Sequence, residues 1–225
     1  MVTSLRRGHI GLVAASLLFL FTSSSCTIDS EPASEQTRVA SAPEALTVGT
    51  WVATGAMATG RYAHASLKLP TNQVLVVAGF NESGFLGSAE LYTPASGTWA
   101  PAGALAEPRH DPNLALLPGG RALVLGGLDA VDFLASTEIW SPATMSWAPG
   151  PPMSAKRYVP TASPTVNSQI LVAGGEGADY LASAELYDPS TNTWSPTGSM
   201  STPRFVHAAV TLPSGAVLVL SLIHV

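Results

Sequence analysis

The sequence predicts an all-β repeat protein, a β-propeller of about three and a half four-stranded blades, and three observations carry that prediction. Markers recur with one period: Trp51, Trp99, Trp147 and Trp194, and likewise Arg61, Arg109, Arg157 and Arg204, are separated by 48, 48 and 47 residues. Glu90-Leu91-Tyr92, Glu138-Ile139-Trp140 and Glu185-Leu186-Tyr187 keep step with them, as do Gly79-Phe80, Gly126-Gly127 and Gly174-Gly175. Finally, 20 glycines and 18 prolines in 225 residues leave no room for long helices and favour many short strands joined by turns.

The start of the chain reads as a secretory leader. Arg6 and Arg7 form a basic start, Ile10 to Phe21 an apolar run, and Ser23, Ser24 and Ser25 the small residues of a cleavage site. A helix needs about 20 apolar residues to cross a bilayer core of about 30 Å, and this run is too short. Residues 1–25 are therefore expected to be removed and to take no part in the fold. Cys26, directly after them, resembles the cysteine of a bacterial lipoprotein box. That resemblance implies lipidation at Cys26 and a membrane tether; the other reading is an ordinary leader followed by an incidental cysteine. Residues 26–47 are rich in Ser, Ala, Glu, Thr and Pro. They carry too few large apolar side chains to offset the entropy of ordering and are expected to form a disordered tether. The expected location is the cell envelope, as an outer-membrane or surface lipoprotein, or the extracellular medium.

Residues 48–225 are expected to build the propeller, with a lone outer strand around Trp51. Full blades are predicted near 63–102, 111–150 and 159–198, and a partial one at 205–221. In each period a first strand, A, such as Ala63 to Leu69, runs into a Pro/Asn/Gly turn (Leu69-Pro70-Thr71-Asn72, Leu117-Pro118-Gly119-Gly120). Strand B follows as a short aliphatic run, Val74 to Ala78, Ala122 to Leu125 or Ile170 to Ala173. Such runs fit a strand buried on both faces. After a longer loop, strand C holds the Glu-aliphatic-aromatic triplet, and a tight turn such as Asp188-Pro189-Ser190-Thr191-Asn192 returns the chain into strand D with its tryptophan. The next Gly-Gly falls due at 221–222, where the sequence reads Ser221-Leu222-Ile223-His224-Val225. Propellers usually close with four to eight blades, so the sequence reads as a truncated or frameshifted product of a longer gene. The alternative is a four-bladed ring closed by the Trp51 strand joining the last A and B strands.

The paired glycines, the later tyrosine and the tryptophan at fixed offsets resemble kelch repeats, over residues 48 to about 220. The resemblance implies a kelch-type propeller, in which tyrosine and tryptophan fill the wedge between neighbouring sheets. Phe80 is read as replacing the second glycine of the first pair, which should reshape that loop, and Trp140 as an aromatic exchange for tyrosine. Galactose oxidase has a propeller of this kind, but its copper cofactor needs a tyrosine cross-linked to cysteine, and the one cysteine here is Cys26. The sialidase Asp-box places glycine three residues before tryptophan, whereas Gly97 stands two before Trp99 and Met145 and Asn192 hold that place in later repeats.

Composition narrows the function further. A net charge of −5 with ten scattered Lys and Arg leaves no footprint for nucleic acid. One cysteine excludes a disulfide framework and a cysteine-rich zinc site. No nucleophile elbow or phosphate loop is present, and no catalytic residue, metal or cofactor is assigned. A meander brings the B–C loops (Phe80 to Ser88, Leu128 to Ser136, Glu176 to Ala182) and the D–A segments to one edge, where loops on a rigid frame carry function. Arg61, Arg109, Arg157 and Arg204 lie there and are candidates either to grip carboxylates or sulfates or, since every blade repeats one, to tie blades together. Phe85, Phe133 and Tyr180 recur in register as loop anchors. Glu82, Asp129, Asp132, Glu176 and Asp179 sit in the loops without the spacing of a calcium motif. His110 and Asp111 break the repeat and are the remaining binding candidates, with Asn113 nearby. The expected partner is a protein or glycan at this edge, with any membrane contact made through the lipid alone; the alternative is a carbohydrate-active enzyme, a sugar oxidase, epimerase or glycosidase.

Overall fold

A computed structural model describes residues 52–221; the leader, Cys26, the 26–47 segment, Trp51 and His224 lie outside the described residues. Alternating aliphatic runs and Pro/Gly turns fold into consecutive antiparallel meanders. The first comprises β1 (Ala65–Lys68), β2 (Val74–Val77), a small hairpin of β3 (Phe80–Asn81) and β4 (Gly84–Phe85) set in the loop, then β5 (Ser88–Thr93) and β6 (Thr98–Ala104). The second comprises β7 (Asn113–Leu116), β8 (Ala122–Leu125), β9 (Thr137–Ser141) and β10 (Ser146–Pro149). The third comprises β11 (Thr161–Pro164), β12 (Ile170–Ala173), β13 (Ala184–Asp188) and β14 (Thr193–Thr197). Among the described residues a fourth sheet holds β15 (Ala208–Thr211) and β16 (Val217–Leu220). These are the expected three and a half blades. The first strands β1, β7, β11 and β15 touch in succession, which makes them the innermost strands of a fan of sheets. Among the described residues no helix is long and apolar enough to cross a membrane.

The B strands show why their sequences are continuously aliphatic. All four residues of β8 are buried; Ala122 and Val124 pack toward the first blade with Leu75, Val77, Leu91 and Trp140. Leu123 and Leu125 point the other way, toward Ile170, Val172 and Tyr187 of the third blade. With a period of two, a strand lying between two blades has no face left for a polar residue.

Trp147 and Trp194 fasten their blades to the one before, and Trp99 fastens the first blade to the segment that leads into it. Trp99 Nε1 donates to Gly55 O at 2.8 Å, Trp147 Nε1 to Ala102 O at 3.2 Å and Trp194 Nε1 to Pro151 O at 2.9 Å. Trp140, where the other repeats have tyrosine, is 1% exposed and donates to the same Ala102 carbonyl at 3.1 Å. The exchange thus adds bulk to the wedge without leaving an unpaired indole N–H.

The glycine register differs by one residue from the sequence reading. A step of 48 residues carries Gly126-Gly127 back to Ala78-Gly79, and the backbone agrees: φ is 65° at Ala78, 60° at Gly126 and 63° at Gly174, then 100°, 96° and 96° at Gly79, Gly127 and Gly175. Ala78 therefore replaces the first glycine in a left-handed conformation, and Phe80 matches Leu128 and Glu176 rather than a glycine. Gly79, Gly127 and Gly175 each donate N–H to the carbonyl of the next blade's arginine, at 2.8, 2.9 and 2.8 Å, and a Cβ at these positions would stand 2.7, 2.7 and 2.9 Å from the carbonyl oxygens of Tyr62, His110 and Tyr158.

His207, at the start of the fourth sheet, is buried; its Nε2 lies 3.0 Å from Thr161 Oγ1 and its Nδ1 has no partner among the described residues. Burial, reinforced by the neighbouring Arg204 charge, holds its pKa below the ordinary 6.5. The folded form therefore prefers neutral histidine, and the stability this contributes is present above pH 6.5 and lost as pH falls through the lowered value. Thermal melts from pH 8 to pH 5 should show melting temperature declining below pH 6.5, and His207→Gln should flatten that part of the curve.

Candidate functional site

The B–C loops and D–A segments do share an edge: Tyr62 bridges Phe80, His110 bridges Leu128 and Tyr158 bridges Glu176. The repeated arginines are set just before these bridges. Arg61 donates to Ala78 O at 2.9 Å, Ser88 O at 2.7 Å, Ser88 Oγ at 3.0 Å and Glu90 Oε1 at 2.9 Å. Arg157 repeats the set on Gly174 O, Ser183 O, Ser183 Oγ and Glu185 Oε1, at 2.8 to 3.0 Å. Arg109 does so on Gly126 O, Ser136 O and Ser136 Oγ, but reaches Glu107 Oε2 at 3.1 Å while Glu138 stands 3.6 Å away. The repeated glutamates complete the tie by accepting from the preceding D–A backbone: Glu90 from Ala58 and Thr59, Glu138 from Ala106 and Glu107, Glu185 from Ser154. Burial alone would raise the Glu90 carboxyl, but these amides and Arg61 outweigh it and hold the pKa low.

These three guanidinium groups are fully buried, and the frame occupies their N–H groups. Arg61, Arg109 and Arg157 therefore leave the set of candidate ligand contacts: of the two roles the sequence leaves open, their geometry is that of the tie. Arg204 is half-buried at the equivalent place in the fourth sheet. Its backbone joins the ring by donating to Leu181 O at 3.0 Å and accepting from Gly175 N.

What remains at the edge is a ribbon of rings around His110. The residue after each repeated arginine is aromatic, Tyr62, His110, Tyr158 and Phe205, and the loop of the preceding blade lays its own ring on it. Phe85 stacks on His110 at 5.2 Å, Phe133 on Tyr158 at 5.2 Å and Tyr180 on Phe205 at 4.4 Å. The anchors expected from the register are therefore anchors across blades. His110 meets Tyr158 edge-on at 5.8 Å and Phe80 at 6.1 Å, and Phe80 meets Tyr62 at 5.6 Å, so six rings run without a break over two blade junctions.

Polar chemistry sits inside this ribbon. Asp111 Oδ2 lies 3.0 Å from His110 Nδ1 and accepts from Tyr158 O–H at 2.8 Å. Burial pushes the Asp111 carboxyl up, but the two hydrogen bonds prevail and hold it below its ordinary value. Burial and the Asp111 carboxylate together push the Tyr158 phenol far above its ordinary 10, so Tyr158 stays protonated and donates its O–H to Asp111. Asp111 is held at φ 48°, as are Val159 at 48° and Val206 at 50° in later repeats, a left-handed conformation that costs a non-glycine residue about 1–2 kcal/mol. Asn113 Nδ2 ties to Pro160 O at 2.9 Å and so belongs to the frame. Of the loop acids, Asp132 pairs with Lys156 and Asp129 caps its own turn by accepting from Val131 and Asp132 N–H. Among the described residues no three His, Cys, Asp or Glu side chains converge as metal ligands would.

Tyr158 is the member of this cluster that the sequence reading missed. Its signal is the aromatic column after the repeated arginines, obscured because the residue type changes at nearly every repeat.

Residues 157–201 match a family described as Kelch motif, a span covering the third blade from its arginine through β14. No curated protein matches the chain. Among solved structures, the one titled "Structure of YjhT" superposes with a TM-score of 0.62 at 15% identity, covering 73% of this chain. This chain spans 60% of the length of that structure. The fold is thereby that of a kelch-type β-propeller.

Proposed function

From a kelch-type propeller frame, we propose that the chain is an exported, lipid-anchored binding module presenting the edge formed by its B–C and D–A loops to a protein or a glycan. One observation carries this reading: repeated charged residues at that edge are buried in the frame, while unrepeated ones stay accessible. His110 and Asp111 keep side-chain exposures of 19% and 36%, and Tyr62, Val131 and Tyr180 stand 62%, 89% and 54% exposed on the same rim. Exposed rings and a partly hydrated polar cluster on a rigid scaffold are the ingredients of a recognition surface. The test is a glycan array and a pull-down with the intact protein, alongside Val131→Glu and Tyr180→Ala. Binding should fall at least tenfold in these variants; binding indifferent to both would remove the loop edge from consideration.

The anchor is tested separately. Expressed in a bacterium with lipoprotein processing, the protein should partition into detergent and carry the added mass of a diacylglyceryl group, and Cys26→Ser should release it into the aqueous phase. Equal partitioning of the two forms would instead indicate a free secreted domain.

A carbohydrate-active enzyme is the second reading, supported by the unrepeated His110–Asp111 pair, since a carboxylate that orients a histidine is an arrangement used by general bases. Turnover of a sugar substrate, abolished by His110→Ala, would favour it over the binding module.

A further inference from the structure

We infer that the aromatic ribbon centred on His110 is a binding site for neutral sugar rings, with His110 Nε2 as an acceptor for a sugar hydroxyl; this rests on the loop edge being the recognition surface proposed above. The tautomer follows from the hydrogen bonds. Asp111 Oδ2 already accepts from Tyr158 O–H and is acceptor-only when ionised, so the 3.0 Å contact with His110 requires the proton on Nδ1. In the neutral imidazole Nε2 then carries a lone pair of fixed direction, and among the described residues it has no hydrogen-bond partner, nor has Asp111 Oδ1. Both open polar atoms of the cluster are therefore acceptors.

An acceptor-only site discriminates by chemistry. A carboxylate or sulfate brings no donor to Nε2 or Oδ1 and would face the Asp111 charge, while the nearby guanidinium groups of Arg61, Arg109 and Arg157 are buried and paired with glutamates. A neutral sugar supplies what is needed: hydroxyl donors around its rim and an apolar C–H face to lie against rings. Phe85, Tyr158 and Phe133 lie in contact with or beside His110, and at the next blade junction Tyr180 stacks on Phe205 while remaining 54% exposed. Largely apolar walls with a few oriented polar atoms describe small-ligand sites in general.

The experiment uses the full chain on an array of neutral, sialylated and sulfated oligosaccharides, with melting curves of every variant. Retention of neutral glycans is expected, reduced at least tenfold in His110→Ala. Asp111→Asn, which suits the left-handed backbone and exchanges one acceptor for a donor, should reduce it comparably, with a modest fall in melting temperature because the ionised carboxylate no longer accepts from His110 and Tyr158. Tyr158→Phe should weaken it several-fold. Retention of sialylated or sulfated glycans only, neutral retention unchanged in both His110→Ala and Asp111→Asn, or no retention of any glycan would each overturn the inference. If a protein ligand is captured instead and lost in Val131→Glu, the loop-edge reading survives and this one fails; if neither glycan nor protein responds to the loop variants, both fail.

Discussion

Arg157→Ala is expected to destabilise the protein by about 3–5 kcal/mol, the usual cost of removing one partner from a buried ion pair. The guanidinium, fully buried, donates to Gly174 O, Ser183 O and Ser183 Oγ and to Glu185 Oε1. Its loss leaves the buried Gly174 carbonyl short of a donor, Ser183 O with the Gly174 N–H alone, and Glu185, itself 2% exposed, held by the Ser154 amide. Arg157→Lys should recover a minority of this, because an ammonium keeps the charge but cannot spread its donors in the plane that reaches strands β12 and β13 together. Urea unfolding at pH 7 measures both; a loss below about 1 kcal/mol for the alanine variant would mean that the tie contributes little beyond an exposed ion pair.

Gly127→Ala is expected to cost about 3 kcal/mol for a different reason. The residue sits at φ 96°, and a Cβ there would stand 2.7 Å from His110 O and 3.2 Å from Pro112 N, both backbone atoms that cannot rotate away. Steric conflict adds to the conformational penalty. Gly84 provides the control: its φ is 109°, but nothing lies within 4 Å of the corresponding Cβ, so Gly84→Ala should carry the conformational penalty alone. Equal losses at the two sites would show that backbone conformation dominates and that the close approach to His110 is unimportant. Because Gly127 packs on the carbonyl of His110, the alanine variant should also disturb the His110–Asp111 pair; the stability loss can be separated from a binding loss by assaying below the lowered melting temperature.

The legible part of this molecule is the part that repeats. Trp99, Trp147 and Trp194 recur because each must reach a carbonyl of the chain segment preceding its blade, and the arginine–glutamate pairs recur because every blade has the same backbone carbonyls to satisfy at the same place. The glycine pair is legible only in the second and third blades. Ala78 conceals the first glycine of the first blade, and only its positive φ identifies it. The arginines themselves carried an ambiguity that spacing cannot resolve, since a guanidinium aimed at a ligand and one aimed at a carbonyl have the same periodicity; burial separates them.

The sequence by itself determined the blade count among residues 52–221, the order of strands within each blade, and the edge on which the long loops gather, because these follow from a period of about 48 residues, from turn chemistry and from the alternation of a meander. Only the tertiary structure decided what stands at that edge. Tyr158 and Asp111 are 47 residues apart and share a hydrogen bond because neighbouring blades bring their D–A segments side by side. Phe85 covers His110 because the B–C loop of one blade lies against the D–A segment of the next. Periodicity fixes which positions meet between neighbouring blades, but a hydrogen bond or a stacked pair depends on the side chains placed there, and those are the positions at which the repeats differ.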